Sequence, residues 1–254
     1  MKKLLAITAL SAALFFGQTA AAEEKAAEEV KPSHVEMVLV LDESGSMSDL
    51  TRDTIGGFNS MIEKEKKLDV DVHVTTVLFN DQYKMLYNRR ELKDVSKMTD
   101  KDYTPGGMTA LLDAVGRTIH KMDMVAGIHR KDKGNKVLFV IITDGEENDS
   151  KEYTYADVKK LIKDRQENAG WEFIFLGANI DAAAAAENLG IDRDRAVKYK
   201  NTGSGVRANF KAVAELSDSL AKSGRVSDEW KETVEKDEDD AADKQSAAVT
   251  LHRR

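Results

Sequence analysis

Residues 38–47 read VLVLDESGSM, and the fold turns on them. Val38 to Leu41 are apolar without a polar face, the pattern of a strand buried on both sides of a sheet. At Asp42 the chemistry changes. A carboxylate and the hydroxyls of Ser44 and Ser46 follow at alternate positions, and Gly45 supplies the backbone freedom of a tight turn. Oxygen atoms gathered at the carboxyl end of a buried strand suit a hard cation. The same residues also fit a strand followed by an N-capped helix, because Asp and Ser are good caps. Both readings stand on this stretch alone.

Downstream, residues 51–67 place Ile55, Phe58, Met61 and Ile62 at helical spacing. Gly56 and Gly57 sit inside that helix at about 1 kcal/mol each relative to alanine, and a close approach of the helix to the sheet is the expected reason. Residues 70–79 read as a strand, Asn80-Asp81 as a turn, and residues 83–87 as a short antiparallel strand at the sheet edge. Pro105-Gly106-Gly107 ends any element. A helix starts after it, with Thr109 at its head and Leu111, Leu112, Val115, Ile119 and Met122 in register. Residues 136–143 form a second continuous apolar run, ending on Asp144-Gly145. A helix over 155–167, a strand over 171–176, a helix over 181–189 capped by Asp181, a short strand over 195–199 and an amphipathic helix over 203–223 complete the alternation. Such alternation specifies an α/β layer architecture.

The 254 residues suffice for one large domain or two small ones. A net charge of −7 with scattered Lys and Arg disfavours a general nucleic-acid function. The absence of cysteine excludes disulfides, thiolate metal sites and cysteine nucleophiles. Lys2 and Lys3 precede an apolar stretch that ends in Ala20-Ala21-Ala22, with no acidic residue before Glu23. That pattern predicts a signal peptide over residues 1–22 and export to the periplasm or the exterior. Residues 23–33 read as a solvated spacer, residues 34–223 as the domain, and residues 224–254 as a charged tail, frayed or disordered, with Trp230 its only large anchor.

Three separated stretches carry the candidate site: Asp42, Ser44 and Ser46 after one buried strand, Thr109 at a helix start after a Gly-Gly loop, and Asp144 after another buried strand. Ligands in open α/β sheets gather beyond the carboxyl ends of neighbouring strands whose connections leave to opposite faces. Three hydroxyls and two carboxylates form an all-oxygen set suited to Mg²⁺ or Mn²⁺ and wrong for zinc. The combination resembles the von Willebrand factor A-type (vWA) domain with its metal-ion-dependent adhesion site, whose Asp-x-Ser-x-Ser, later Thr and later Asp stand here as Asp42, Ser44, Ser46, Thr109 and Asp144. The resemblance implies a central, mostly parallel sheet with one antiparallel edge strand. It also implies a Mg²⁺ or Mn²⁺ ion that binds an Asp or Glu carboxylate of a protein partner, and no catalysis.

Two alternatives remain open on sequence. One is a Mg²⁺-dependent phosphohydrolase with Asp42 as nucleophile, although Ser44 stands where that chemistry wants a second acid. The other is an envelope assembly factor whose metal site is a relic. Glu43, Glu146, Glu147 and Asp149 read as a solvated acidic rim around the site. The five histidines, at 34, 73, 120, 129 and 252, lack ligand spacing along the chain and read as structural or surface residues.

Overall fold

The computed structural model describes residues 32, 34–67, 71–125 and 134–236. The expected signal peptide lies outside the described residues, as does all but residue 32 of the expected spacer. Six strands form one sheet: β1 (His34–Asp42), β2 (Asp71–Phe79), β3 (Tyr83–Glu91), β4 (Asn135–Thr143), β5 (Glu172–Gly177) and β6 (Ala196–Lys198). Their order is β3-β2-β1-β4-β5-β6. All pairings are parallel except β2 with β3. The antiparallel edge strand is longer than its apolar pattern suggested. Irregularities opposite Val74 to Val77 let β3 continue to Glu91, and Arg89 there adopts φ 46.

Among the described residues, five helices of eight residues or more cover the sheet: α1 (Thr51–Glu65), α2 (Leu111–Asp123), α3 (Tyr155–Asp164), α4 (Ala182–Leu189) and α5 (Gly203–Ser223). Alternation along β1 sends Val35, Met37, Leu39 and Leu41 into one core with Phe58, Met61 and Ile62 of α1 and Phe210, Val213 and Leu220 of α5. Val38 and Val40 point the other way, into a core with Val115 and Ile119 of α2, Val158 and Ile162 of α3, and Leu189 of α4. Strand β1 therefore feeds a helix on one face while its neighbour β4 feeds α3 on the other. The topological switch falls between the strands that end at Asp42 and Thr143.

Sequence chemistry sets the helix ends. Thr154 and Asp157 form a reciprocal capping box at α3, Asp181 caps α4 through the Ala184 amide, and Thr202 caps α5 through the Gly205 amide. Helix α3 ends earlier than its hydrophobic pattern, passing into a π turn over Arg165–Ala169 that Gly170 stops at φ 69. The close approach expected at Gly57 is real, but its partner is a helix rather than the sheet. A Cβ there would lie 2.5 Å from the Phe210 ring of α5. Gly56 has open space where its Cβ would be, so packing does not account for it.

The same α1–α5 seam buries Glu65, which is 1% exposed. Burial raises its carboxyl to about 7, with the Ser217 hydroxyl and Lys64 offsetting only part of the effect and Asp218 adding to it. Since the folded chain holds this proton more tightly than the unfolded one, stability falls as pH rises from about 4.5 to about 7 and stays lowered above that. Glu65→Gln is expected to raise stability at pH 8 by on the order of 2 kcal/mol, and to gain little at pH 4. Urea unfolding at the two pH values checks this; equal effects at both would contradict it.

Residues 226–236 differ from the frayed or disordered charged tail expected there. Val226, Trp230 and Val234 are buried in the α1–α5 core, and residues 230–236 are helical. The charged residues between them had masked an apolar spacing of four. Among the described residues, no helix is long and apolar enough to cross a membrane.

Candidate metal centre

Asp42 closes β1 and is 1% exposed. One carboxylate oxygen accepts the Ser44 amide at 2.7 Å and the other the Thr143 hydroxyl at 2.6 Å. The chain then turns through a short 3-10 segment, Gly45–Leu50, into α1. Along that turn the Ser44 and Ser46 hydroxyls lie 3.1 Å apart. Ser46 donates to Asp144 at 2.5 Å, joining the end of β1 to the end of β4. Asp144, also 1% exposed, accepts further from Asn201 at 3.3 Å, and its backbone carbonyl accepts from Asn179 at 3.2 Å.

Thr109 comes in from the side. Its amide donates to the Asn148 side chain at 2.8 Å, and its carbonyl accepts from the amides of Asn148 and Asp149. A Cβ placed on Gly145 would lie 3.8 Å from the Thr109 hydroxyl and 3.9 Å from that of Ser46, so both hydroxyls border the glycine that follows Asp144. The Gly-Gly loop before Thr109 is pinned to the first loop by Gly45 N–H to Gly107 O at 3.2 Å and Gly106 N–H to Glu43 O at 2.9 Å. Asn80 holds the Gly106 carbonyl, and Gly107 takes φ 74 against the Asp81 carboxylate, where a side chain would be strained. All five residues singled out from sequence thus converge on one end of the sheet.

The acidic rim is not uniform. Glu43 is buried and accepts from the amide and hydroxyl of Thr104, with Lys84 3.6 Å away. Glu147 accepts the Leu112 amide at the start of α2, together with the amides of Asp149 and Ser150. Both fix loops, and Glu146 is the exposed member of the set. Thr143, Tyr103, Asn179 and Asn201 also serve this end of the sheet, although no motif in the sequence marks them. Tyr103 donates to the Asp42 carbonyl at 2.6 Å. Their only signal was position, each lying at a strand end or in the loop that follows one.

The electrostatics suit a cation. Burial pushes the Asp42 carboxyl up; hydrogen bonds from Ser44 and Thr143 oppose this, and the charge on Asp144 adds to it. Among the described residues no Lys or Arg pairs with either carboxylate. Two buried acids side by side without a counter-ion are costly unless a positive charge joins them. The donor set, five oxygen-bearing side chains and no nitrogen or sulfur, suits a hard divalent cation. Ser46 is exposed and Met108 beside Thr109 is 51% exposed, so this end of the sheet opens to solvent.

A doubly wound sheet with this loop arrangement at its switch point is a vWA-type domain. Residues 34–191 match the family model vWA-TerF-like, described as the vWA found in the TerF C terminus, and the chain belongs to that family. Among solved structures, it resembles the vWF domain of the type V pili tip protein Mfa5 from Porphyromonas gingivalis, with a TM-score of 0.52 at 13% identity over 78% of this chain and 99% of that one. It also resembles proximal thread matrix protein 1 from the mussel byssus, with a TM-score of 0.50 at 14% identity over 75% and 47%. A von Willebrand factor type A protein from Catenulispora acidiphila matches with a TM-score of 0.50 at 15% identity over 74% and 43%. The chain spans under half the length of the last two, and the likeness at these identities is one of fold. No curated protein is significantly similar in sequence.

A second group of ligand-type side chains lies elsewhere. His34, Asp71 and His73 each place one ligand atom within 4.8 Å of the others. They stand at the amino ends of β1 and β2, eight residues from Asp42 along β1 and so about 26 Å away. Sequence spacing had given them no common role, because they meet only through the parallel register that sets His34 beside Asp71 and Glu36 beside His73.

Proposed function

We propose that the chain is an exported protein-binding module in which Asp42, Ser44, Ser46, Thr109 and Asp144 hold a Mg²⁺ or Mn²⁺ ion. The observation that carries this is the pair of buried, uncompensated carboxylates meeting two serine hydroxyls at the β1–β4 switch point. When bound, the cation offers an electrophilic position to an Asp or Glu carboxylate of a partner protein. The chain's own part is to hold the hydroxyls in place and keep the acids dry. Asp42 is fixed by Ser44 and Thr143, and Asp144 by Ser46 and Asn201. With both Asp42 oxygens engaged and buried, the residue is better placed as a ligand support than as a nucleophile, which supports binding over phosphoryl transfer. The amino-terminal Lys2-Lys3, apolar stretch and Ala20-Ala21-Ala22 support export.

The test is capture on the immobilised chain. Proteins retained in Mg²⁺ are expected to elute with a chelator, and to be retained at least tenfold less by Thr109→Ala. That substitution leaves the backbone bonds of Thr109 to Asn148 and Asp149 in place. Retention that neither the chelator nor the substitution affects would refute the reading.

A further inference from the structure

We propose a second metal site, for a zinc-class transition dication, formed by His34, Asp71 and His73 at the opposite end of the sheet from the Asp42 centre. The inference is independent of the adhesion-type reading. Three observations carry it.

The first is convergence. The ligand atoms lie within 4.8 Å of one another, and His34 Nδ1 is 2.9 Å from an Asp71 oxygen. Tetrahedral zinc with metal–ligand bonds near 2.0–2.2 Å spaces its ligands about 3.3 Å apart, within the range already present. Asp71 is free to close the remaining gap, since its side chain is 60% exposed.

The second is the support behind His34. Its far nitrogen, Nε2, contacts Glu36 at 2.6 Å, and that fully buried carboxylate is held in turn by Arg89 at 2.6 and 2.9 Å. Burial would push Glu36 up, but the bonds from His34 and Arg89 outweigh it and hold the carboxyl below its usual range. A carboxylate on the outer nitrogen of a histidine fixes the tautomer that leaves the inner nitrogen, here Nδ1, to a metal. The Glu36 bond raises His34 from the ordinary imidazole range despite burial, with Asp71 adding.

The third is His73 itself. Its Nδ1 is buried and makes no hydrogen bond, while its ring lies 4.8 Å from that of His34. An unsatisfied buried ring nitrogen beside a second histidine and a carboxylate is a cost that a ligand would relieve. Two imidazoles and one carboxylate with a fourth position left to water suit Zn²⁺, whereas the all-oxygen Asp42 centre does not.

Isothermal titration of Zn²⁺ into the tag-free full-length chain, in excess Mg²⁺, tests this. One equivalent should bind to the wild type and equally to Asp42→Asn. Affinity should fall at least tenfold in both His73→Gln and Asp71→Asn, which should keep the wild-type response of melting temperature to Mg²⁺. No Zn²⁺ binding by the wild type, or unchanged binding by both His73→Gln and Asp71→Asn, would overturn the site. Loss in Asp42→Asn with retention in His73→Gln would also overturn it, because zinc would then occupy the other centre.

Discussion

Asp42→Asn is expected to abolish the rise in melting temperature that Mg²⁺ gives the wild-type chain, while leaving the metal-free protein at least as stable as before. The two halves of this result have separate causes. A cation that binds only the folded state stabilises it by about 2.7 kcal/mol at a hundredfold excess over its dissociation constant. For a domain of this size that corresponds to roughly 5–10 °C. Without metal, the Asp42 charge is a burden, since it is buried next to Asp144 with no basic partner. Asn keeps the geometry. Its carbonyl can accept the Ser44 amide, and its amide can donate to the Thr143 hydroxyl, which can turn its own proton toward the Gly145 carbonyl 3.2 Å away. A residue holding up the fold would behave in the opposite way, with a lower melting temperature and an unchanged Mg²⁺ response. Melting curves over a Mg²⁺ series and in chelator separate the two, and a wild type indifferent to Mg²⁺ would defeat the metal assignment outright.

The site was readable in sequence to the extent that its residues announce themselves locally. Asp42 and Asp144 each follow an uninterrupted apolar run, and such runs in an alternating chain are central parallel strands whose carboxyl ends face the ligand side. Thr109 was marked by the Gly-Gly loop before it and the helix after it. What the chain does not state locally is register. Thr143 reaches Asp42 only because β4 lies beside β1, with Leu41 opposite Ile142. Asn201 reaches Asp144 only because β6 delivers its loop to the same end of the sheet. The two histidines show the same limit more sharply. His34 and His73 are 39 positions apart, and nothing in either stretch says that both will start adjacent parallel strands on one face. Gly57 adds a case in which the composition signalled close packing but not the partner, because Phe210 arrives from the far end of the domain.

Trp230→Ala is expected to cost about 3–5 kcal/mol of stability, the range for removing a large aromatic from a packed core. Trp230 is 1% exposed and shares the α1–α5 core with Val226 and Val234, although it lies among charged residues that read as a tail. The segment is also tied by hydrogen bonds. Ser219 donates to the Arg225 carbonyl and accepts from the Ser227 amide, while Thr233 donates to Glu215 at 2.6 Å. Its indole nitrogen makes no hydrogen bond, so the contribution is one of burial, and Trp230→Phe should recover most of the loss. Truncation after residue 223 should destabilise the domain at least as much as Trp230→Ala, which would carry the domain past the end of α5 to include Val226, Trp230 and Val234. The Mg²⁺-induced shift of Trp230→Ala should remain wild-type in size, since the substitution lies outside the proposed metal centre and lowers the stability of the whole fold. Thermal unfolding of the two variants and of the truncated chain decides the matter. Should Trp230→Ala melt within about 2 °C of the wild type, a shift worth only ~1 kcal/mol in a domain of this size, the segment would be a dispensable appendage and the boundary would return to the end of α5.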